Sequence, residues 1–172
     1  MPISESFLQE LEQESALTRK LLERVPEDKL DWKPAEKSMT LSRLATHLAE
    51  LPGWSEPVLD QDEFDIQPPG APPYEPVELE SVARILETFD TNTEKLRQLL
   101  ASASDGDFMR LWTLKMGGEQ VFTAPKIGVV RNTLFNHAVH HRGQLSVYLR
   151  LLGVPVPATY GPSADEPHGP GT

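Results

Sequence analysis

The segment FNHAVHHRGQL, Phe135 to Leu145, carries three of the chain's five histidines inside one apolar periodicity. It lies within a run that opens at Pro125, a residue suited to the first helical position, and closes at Leu152 ahead of Gly153, which serves as the C′ residue. The run predicts a helix from 125 to 152, about 40 Å long at the usual rise. With His137 set at zero and about 100° per residue, His141 falls near +40° and His140 near −60°. Val130, Leu134, Leu145, Tyr148 and Leu152 fall between about +20° and +80° on the same wheel. His137 and His141 therefore face the interior one turn apart, and His140 sits at the flank.

Three further helices are legible outward from this one. The first covers about 4–24, with Phe7, Leu11, Thr18, Leu21, Leu22 and Val25 near helical spacing and Pro26 as its stop. The second opens at Thr40, a good N-cap, and runs through LSRLATHLAEL to Leu51. The third covers about 79–101. Residues 55 to 76 hold six prolines and read as a long, partly stiff surface loop. Leu111–Met116 and Gln120–Thr123 flank Gly117-Gly118-Glu119 and predict a small hairpin, the glycines supplying positive φ. No internal repeat is present. The expected fold is all-α: a four-helix bundle with a proline-rich loop between helices two and three and a β-hairpin before helix four. One domain is expected over 1–172, with an ordered core of about 3–165 and a mobile tail holding His168.

Composition narrows the function. The 172 residues include no cysteine, which excludes a thiolate nucleophile, a Cys-ligated metal and a disulfide scaffold. The net charge of −10, from 26 acids and 16 bases, disfavours nucleic acid and anionic membranes as partners. The acidic N-terminus MPISESFLQELEQE has no basic region or apolar core of a leader, and no apolar run reaches membrane length. The cytoplasm is the expected location.

Helix two repeats the histidine theme. His47 shares a face with Leu44, Leu48 and Leu51. An inward histidine there and the His137/His141 pair, if they converge, supply three ligands and leave an open coordination position. Neutral imidazole suits zinc, nickel or iron rather than magnesium or calcium. The plainer reading of each is a hydrogen-bonded core histidine. Ala138 follows His137 where a zinc protease would carry glutamate, so that chemistry is disfavoured. No phosphate-binding glycine loop is present, and Ser146 sits away from the stripe, which leaves no catalytic triad.

The segments PAEKSMTLSRLATHLAELPGW (34–54), WTLKMGGEQVF (112–122) and NHAVHHRGQLSVYLRLLGVPVPATYGPSADE (136–166) resemble the DinB family of metal-binding four-helix bundles. The resemblance implies a divalent metal, zinc or nickel, held by His47, His137 and His141. Some relatives are thiol S-transferases or isomerases, so it also implies a low-molecular-weight thiol as cosubstrate.

Three readings compete. The first is a metal-dependent thiol S-transferase, with Trp54 and Tyr148 walling the pocket and Glu50 and Gln144 orienting the ligand imidazoles. Core packing is the alternative role for the two aromatics, and solvent contact for Gln144. The second is a non-catalytic, stress-related bundle that binds metal or ligand. The third is a dimeric scaffold without metal, a homodimer being compatible with all three. Arg142, near +140° on the wheel, is expected to be an ion-pairing group at the surface or an interface.

Overall fold

The computed structural model describes residues 1–167, so His168 and the end of the expected mobile tail lie outside the described residues. The chain is mostly helical with a small three-stranded sheet. Helix α1 spans Ile3–Leu22 and buries Phe7, Leu11, Thr18, Leu21 and Leu22, one face of the helix. Helix α2 spans Leu41–Glu50; the Thr40 hydroxyl accepts from the Arg43 amide at 3.0 Å and closes its first turn. Helix α4 spans Val82–Ser102, capped by the Ser81 hydroxyl on the Arg84 amide. A last helical run is built from α6 (Lys126–Val129), a π-helical segment (Val130–Asn136) and α7 (His137–Leu151). Among these long helices α1 packs on α4 and α7, and α2 packs on α4 and α7.

The proline-rich region is more structured than a loop over 55–76. A 3₁₀ turn at Leu51–Trp54 leads straight into α3 (Ser55–Leu59), and β1 follows at Glu63–Asp65. Residues 60–62 and 66–81 carry neither helix nor strand. Strand β2 (Leu111–Met116) pairs antiparallel with β3 (Glu119–Pro125) and parallel with β1. Gly117 and Gly118 have φ of +64° and +83°, the sign a tight hairpin turn requires. The β1 pairing went unpredicted because three residues are too short for alternation to show. Side chains fix it instead: the Asp65 carboxylate accepts from the amides of Gln67, Gly117 and Gly118, and Asp62 pairs with Arg110 and with the fully buried Lys126. Between β1 and β3, a short helix α5 (Asp105–Met109) carries a Ser104/Asp107 capping box.

Two apolar clusters form the interior. One joins Leu21, Leu44, Leu48, Ile85, Leu145 and Leu149; the other joins Phe7, Leu100, Phe108, Trp112, Val130 and Phe135. Among the described residues, no helix is long and apolar enough to cross a membrane.

The π segment shifts the helical phase. A wider turn advances fewer degrees per residue, so Val130 and Leu134 rotate relative to a wheel drawn at constant pitch. The buried positions after the segment, Leu145, Leu149 and Arg142, lie near +80°, +120° and +140° on that wheel. This corrects the expectation for Arg142. It is 3% exposed, and its guanidinium pairs with the Glu14 carboxylate and donates to the Glu14 carbonyl (3.0 Å) and Thr18 Oγ1 (3.2 Å). Tyr160 joins the cluster, its hydroxyl donating to Glu14 Oε2 at 2.7 Å and its ring 5.0 Å from the guanidinium carbon. Burial and the Glu14 carboxylate push the Tyr160 phenol up to about 12.

Removing one partner of such a pair strands a buried charge. Glu14→Ala should lower unfolding stability by about 3–5 kcal/mol, measured by urea titration, while a joint Glu14→Leu, Arg142→Met change should lower it much less. Equal losses in the single and double variants would show that packing, not charge pairing, holds this seam.

Candidate metal centre

Helix α2 ends one turn after His47, and α7 begins at His137. The shared cluster of Leu44, Leu48, Leu145 and Leu149 presses these helices together, and the histidines meet at that junction. His47 Nε2 lies 3.4 Å from His137 Nε2, which lies 2.9 Å from His141 Nε2. One donor atom from each residue falls within 4.8 Å of the others. Donors about 2.0–2.1 Å from a common ion stand about 3.0–3.4 Å apart, so the cluster fits one divalent metal of nitrogen preference. Three protein ligands leave a position open.

The second ring nitrogens decide whether the Nε2 atoms are available. His141 Nδ1 faces Gln144 Oε1 at 2.7 Å. That acceptor places the His141 ring proton on Nδ1 and frees its Nε2. At His47 two groups compete for Nδ1. Arg43 Nη2 is 3.4 Å away and can only donate; Glu50 Oε2 is 4.0 Å away and can accept. Arg43 Nη1 also holds Glu50 Oε2 at 3.0 Å and the Val77 carbonyl at 2.9 Å. The arginine thereby positions the carboxylate beside His47.

Electrostatics keep the imidazoles neutral. Burial, then the other two histidines and Arg43, push His47 down to about 4. Burial likewise lowers His137 and His141, the Gln144 contact opposing it at His141. Neutral imidazole is the ligating form, so the three rings could hold a cation without first losing protons.

The remaining predicted residues separate. Glu50 and Gln144 stand against His47 and His141 as described. Trp54 packs edge-on against Phe64, with ring centroids 5.6 Å apart. Tyr148 packs edge-on against Trp32 at 5.6 Å, and its hydroxyl donates to the Met39 carbonyl. His140 is exposed, its ring centroid 4.8 Å from that of His141, and Ser146 donates to the Gly143 carbonyl on the outer face. Arg43 went unpredicted, though it had a signal, since it lies one turn before His47 on the same face.

Comparison with known proteins gives the family and the fold. The chain is 26% identical over 163 residues to the uncharacterized protein YrdA of Bacillus subtilis (strain 168), covering 93% of this chain and 89% of YrdA. It superposes with a TM-score of 0.68 on a DinB-like protein from Bacillus cereus ATCC 10987, at 24% identity and with 92% and 98% of the two chains covered. A DinB-like protein, YjoA, from Bacillus subtilis gives 0.64 at 20% identity, with 87% and 96% covered. The family model described as DinB family matches residues 1–172, and the chain belongs to the DinB family.

Proposed function

We propose that His47, His137 and His141 hold one divalent metal ion, zinc or nickel, and that the protein is a metal-dependent S-transferase using a low-molecular-weight thiol. The observation that carries this is the convergence of the Nε2 atoms of His47, His137 and His141, with Gln144 Oε1 stationed at the opposite nitrogen of His141. When bound, such an ion supplies a Lewis-acid centre that lowers the pKa of a water or thiol at its open position. The chain, having no cysteine, has no thiolate of its own to compete for that position. In the transfer, the cosubstrate loses its S–H proton to solvent, its sulfur bonds to the electrophilic carbon, and the leaving group departs with the bonding pair.

The residues around the histidines do the positioning. Gln144 holds the tautomer of His141, and the Arg43–Glu50 pair stands beside His47. The four long helices, read as a four-helix bundle, set the separation of α2 and α7. The net charge of −10 supports a small-molecule partner in the cytoplasm over nucleic acid or membrane. Without turnover, the same site makes a metal- or ligand-binding protein.

Replacing any one of His47, His137 or His141 by Ala should lower zinc affinity at least about 100-fold, beyond what loss of an outer hydrogen-bonding partner costs. His140→Ala should leave it nearly unchanged by calorimetry. Equal losses at His140 and His141 would assign the site to the wrong helical face.

Protons compete with the metal for the imidazoles. The folded, metal-free histidines sit below the unperturbed value of 6.5, with His47 at about 4, so the unfolded chain takes up protons first. Metal-free stability should therefore fall as pH drops from about 6.5 to about 4 and level off below. Zinc occupancy, followed by equilibrium dialysis, should decline over the acid side of the same range. Full occupancy at pH 4 would indicate carboxylate ligands such as Glu50.

A thiol titration separates transferase from binding protein. Cobalt-substituted protein should develop sulfur-to-metal charge-transfer absorption as 2-mercaptoethanol is added, because soft sulfur suits the site. A spectrum unchanged through millimolar thiol, with cobalt still bound, would leave the binding reading in its place.

A further inference from the structure

Beside the histidine cluster, the sheet and the last helical run flank a solvent-open cavity of about 420 Å³ with His137 in its wall. That volume lies in the range of small-ligand sites. One side is the β3 face, Phe122 and Ala124; the other is the α6/π stretch, with Gly128, Val129 and Asn132. Apart from His137, no lining residue is ionisable. Phe122 is held in place from behind: its ring lies 5.9 Å from that of Trp112, which is 1% exposed and donates to the Pro57 carbonyl at 2.7 Å. Across from it Val129 is buried, and Gly128 leaves the space open, since a Cβ there would meet nothing within 4 Å. Asn132 Oδ1 is engaged by Asn136 Nδ2 at 3.1 Å, which leaves the Asn132 amide hydrogens to donate.

We propose that this cavity is the substrate pocket of the His47–His137–His141 site, and that it takes an uncharged molecule with an apolar body about the size of a benzene ring. The proposal rests on the metal reading above and adds the identity of the wall and the class of ligand. Phe122 and Val129 supply apolar contact, and Asn132 supplies one hydrogen bond to an acceptor on the ligand. Apart from the metal position, the lining offers no charged group to pair with a charged body, so an apolar one fits it better. The π segment contributes directly, since Asn132 belongs to the stretch that leads into His137. Gly128 sets the depth, because any side chain there would occupy the space.

Imidazole and 4-phenylimidazole offer the same donor nitrogen with and without an apolar body. Titrated into cobalt-substituted protein and followed in the visible spectrum, 4-phenylimidazole should bind roughly 10- to 100-fold more tightly than imidazole, from the apolar area it buries. In Gly128→Leu, whose Cβ meets no atom within 4 Å, that ratio should fall towards one. Equal affinity in the unsubstituted protein, or a ratio that survives Gly128→Leu, would overturn the pocket. Failure of cobalt to bind would instead overturn the metal reading, and the pocket is then decided in the metal-free protein. There, 4-phenylimidazole should shift the ¹⁵N–¹H resonances of Gly128, Asn132 and Thr133; shifts elsewhere, or none, would reject the assignment.

Discussion

Three imidazoles placed edge to edge in a half-buried junction must stay neutral, and much of the surrounding structure serves that constraint. Two positive rings with Nε2 atoms 2.9 Å apart would repel strongly, and burial raises the cost. The junction lowers all three histidines and sets Gln144 Oε1 against the far nitrogen of His141. Neutral rings placed this way bring three Nε2 atoms towards one point. A cation is the species that relieves such an arrangement.

The constraint reaches into the fold through two helices. Helix α2 is fixed at its start by the Thr40 cap and along its side by Ser42 and Thr46, whose hydroxyls bond the Leu79 carbonyl and amide at 2.7 and 3.0 Å. Helix α7 is fixed by Arg142, which reaches α1 through Glu14 and Thr18 and the C-terminal segment through Tyr160. The buried ion pair and the histidine cluster sit on different faces of the same helix, so an error in helix rotation would disrupt both. Specificity of rotation is the role we assign to that pair, rather than net stability, to which buried pairs contribute little against apolar replacements.

Much of this was legible in the sequence. Thr40 as a cap, the glycine turn at 117–118, and the shared facing of His47, His137 and His141 all follow from local rules, because capping, turn geometry and helical periodicity act within a few residues. Glu50 and Gln144 were readable for the same reason, being three residues from the histidines they face. The failures were non-local. Strand β1 exists because Asp62 and Asp65 find partners about 50 residues away. Arg142 was placed outside the core because the wheel follows apolar side chains alone, whereas its burial comes from Glu14 and Thr18 of α1 and from Tyr160. The contacts of Trp54 and Tyr148 with Phe64 and Trp32 likewise depend on tertiary packing that spacing from the histidines does not encode.

X-ray absorption at the metal edge of zinc-loaded protein tests the central claim most directly. The account predicts three imidazole nitrogens at about 2.0–2.1 Å, with the multiple scattering of the rings, and a sulfur near 2.3 Å once thiol is added. A shell of carboxylate oxygens without imidazole scattering, or a single histidine, would contradict it.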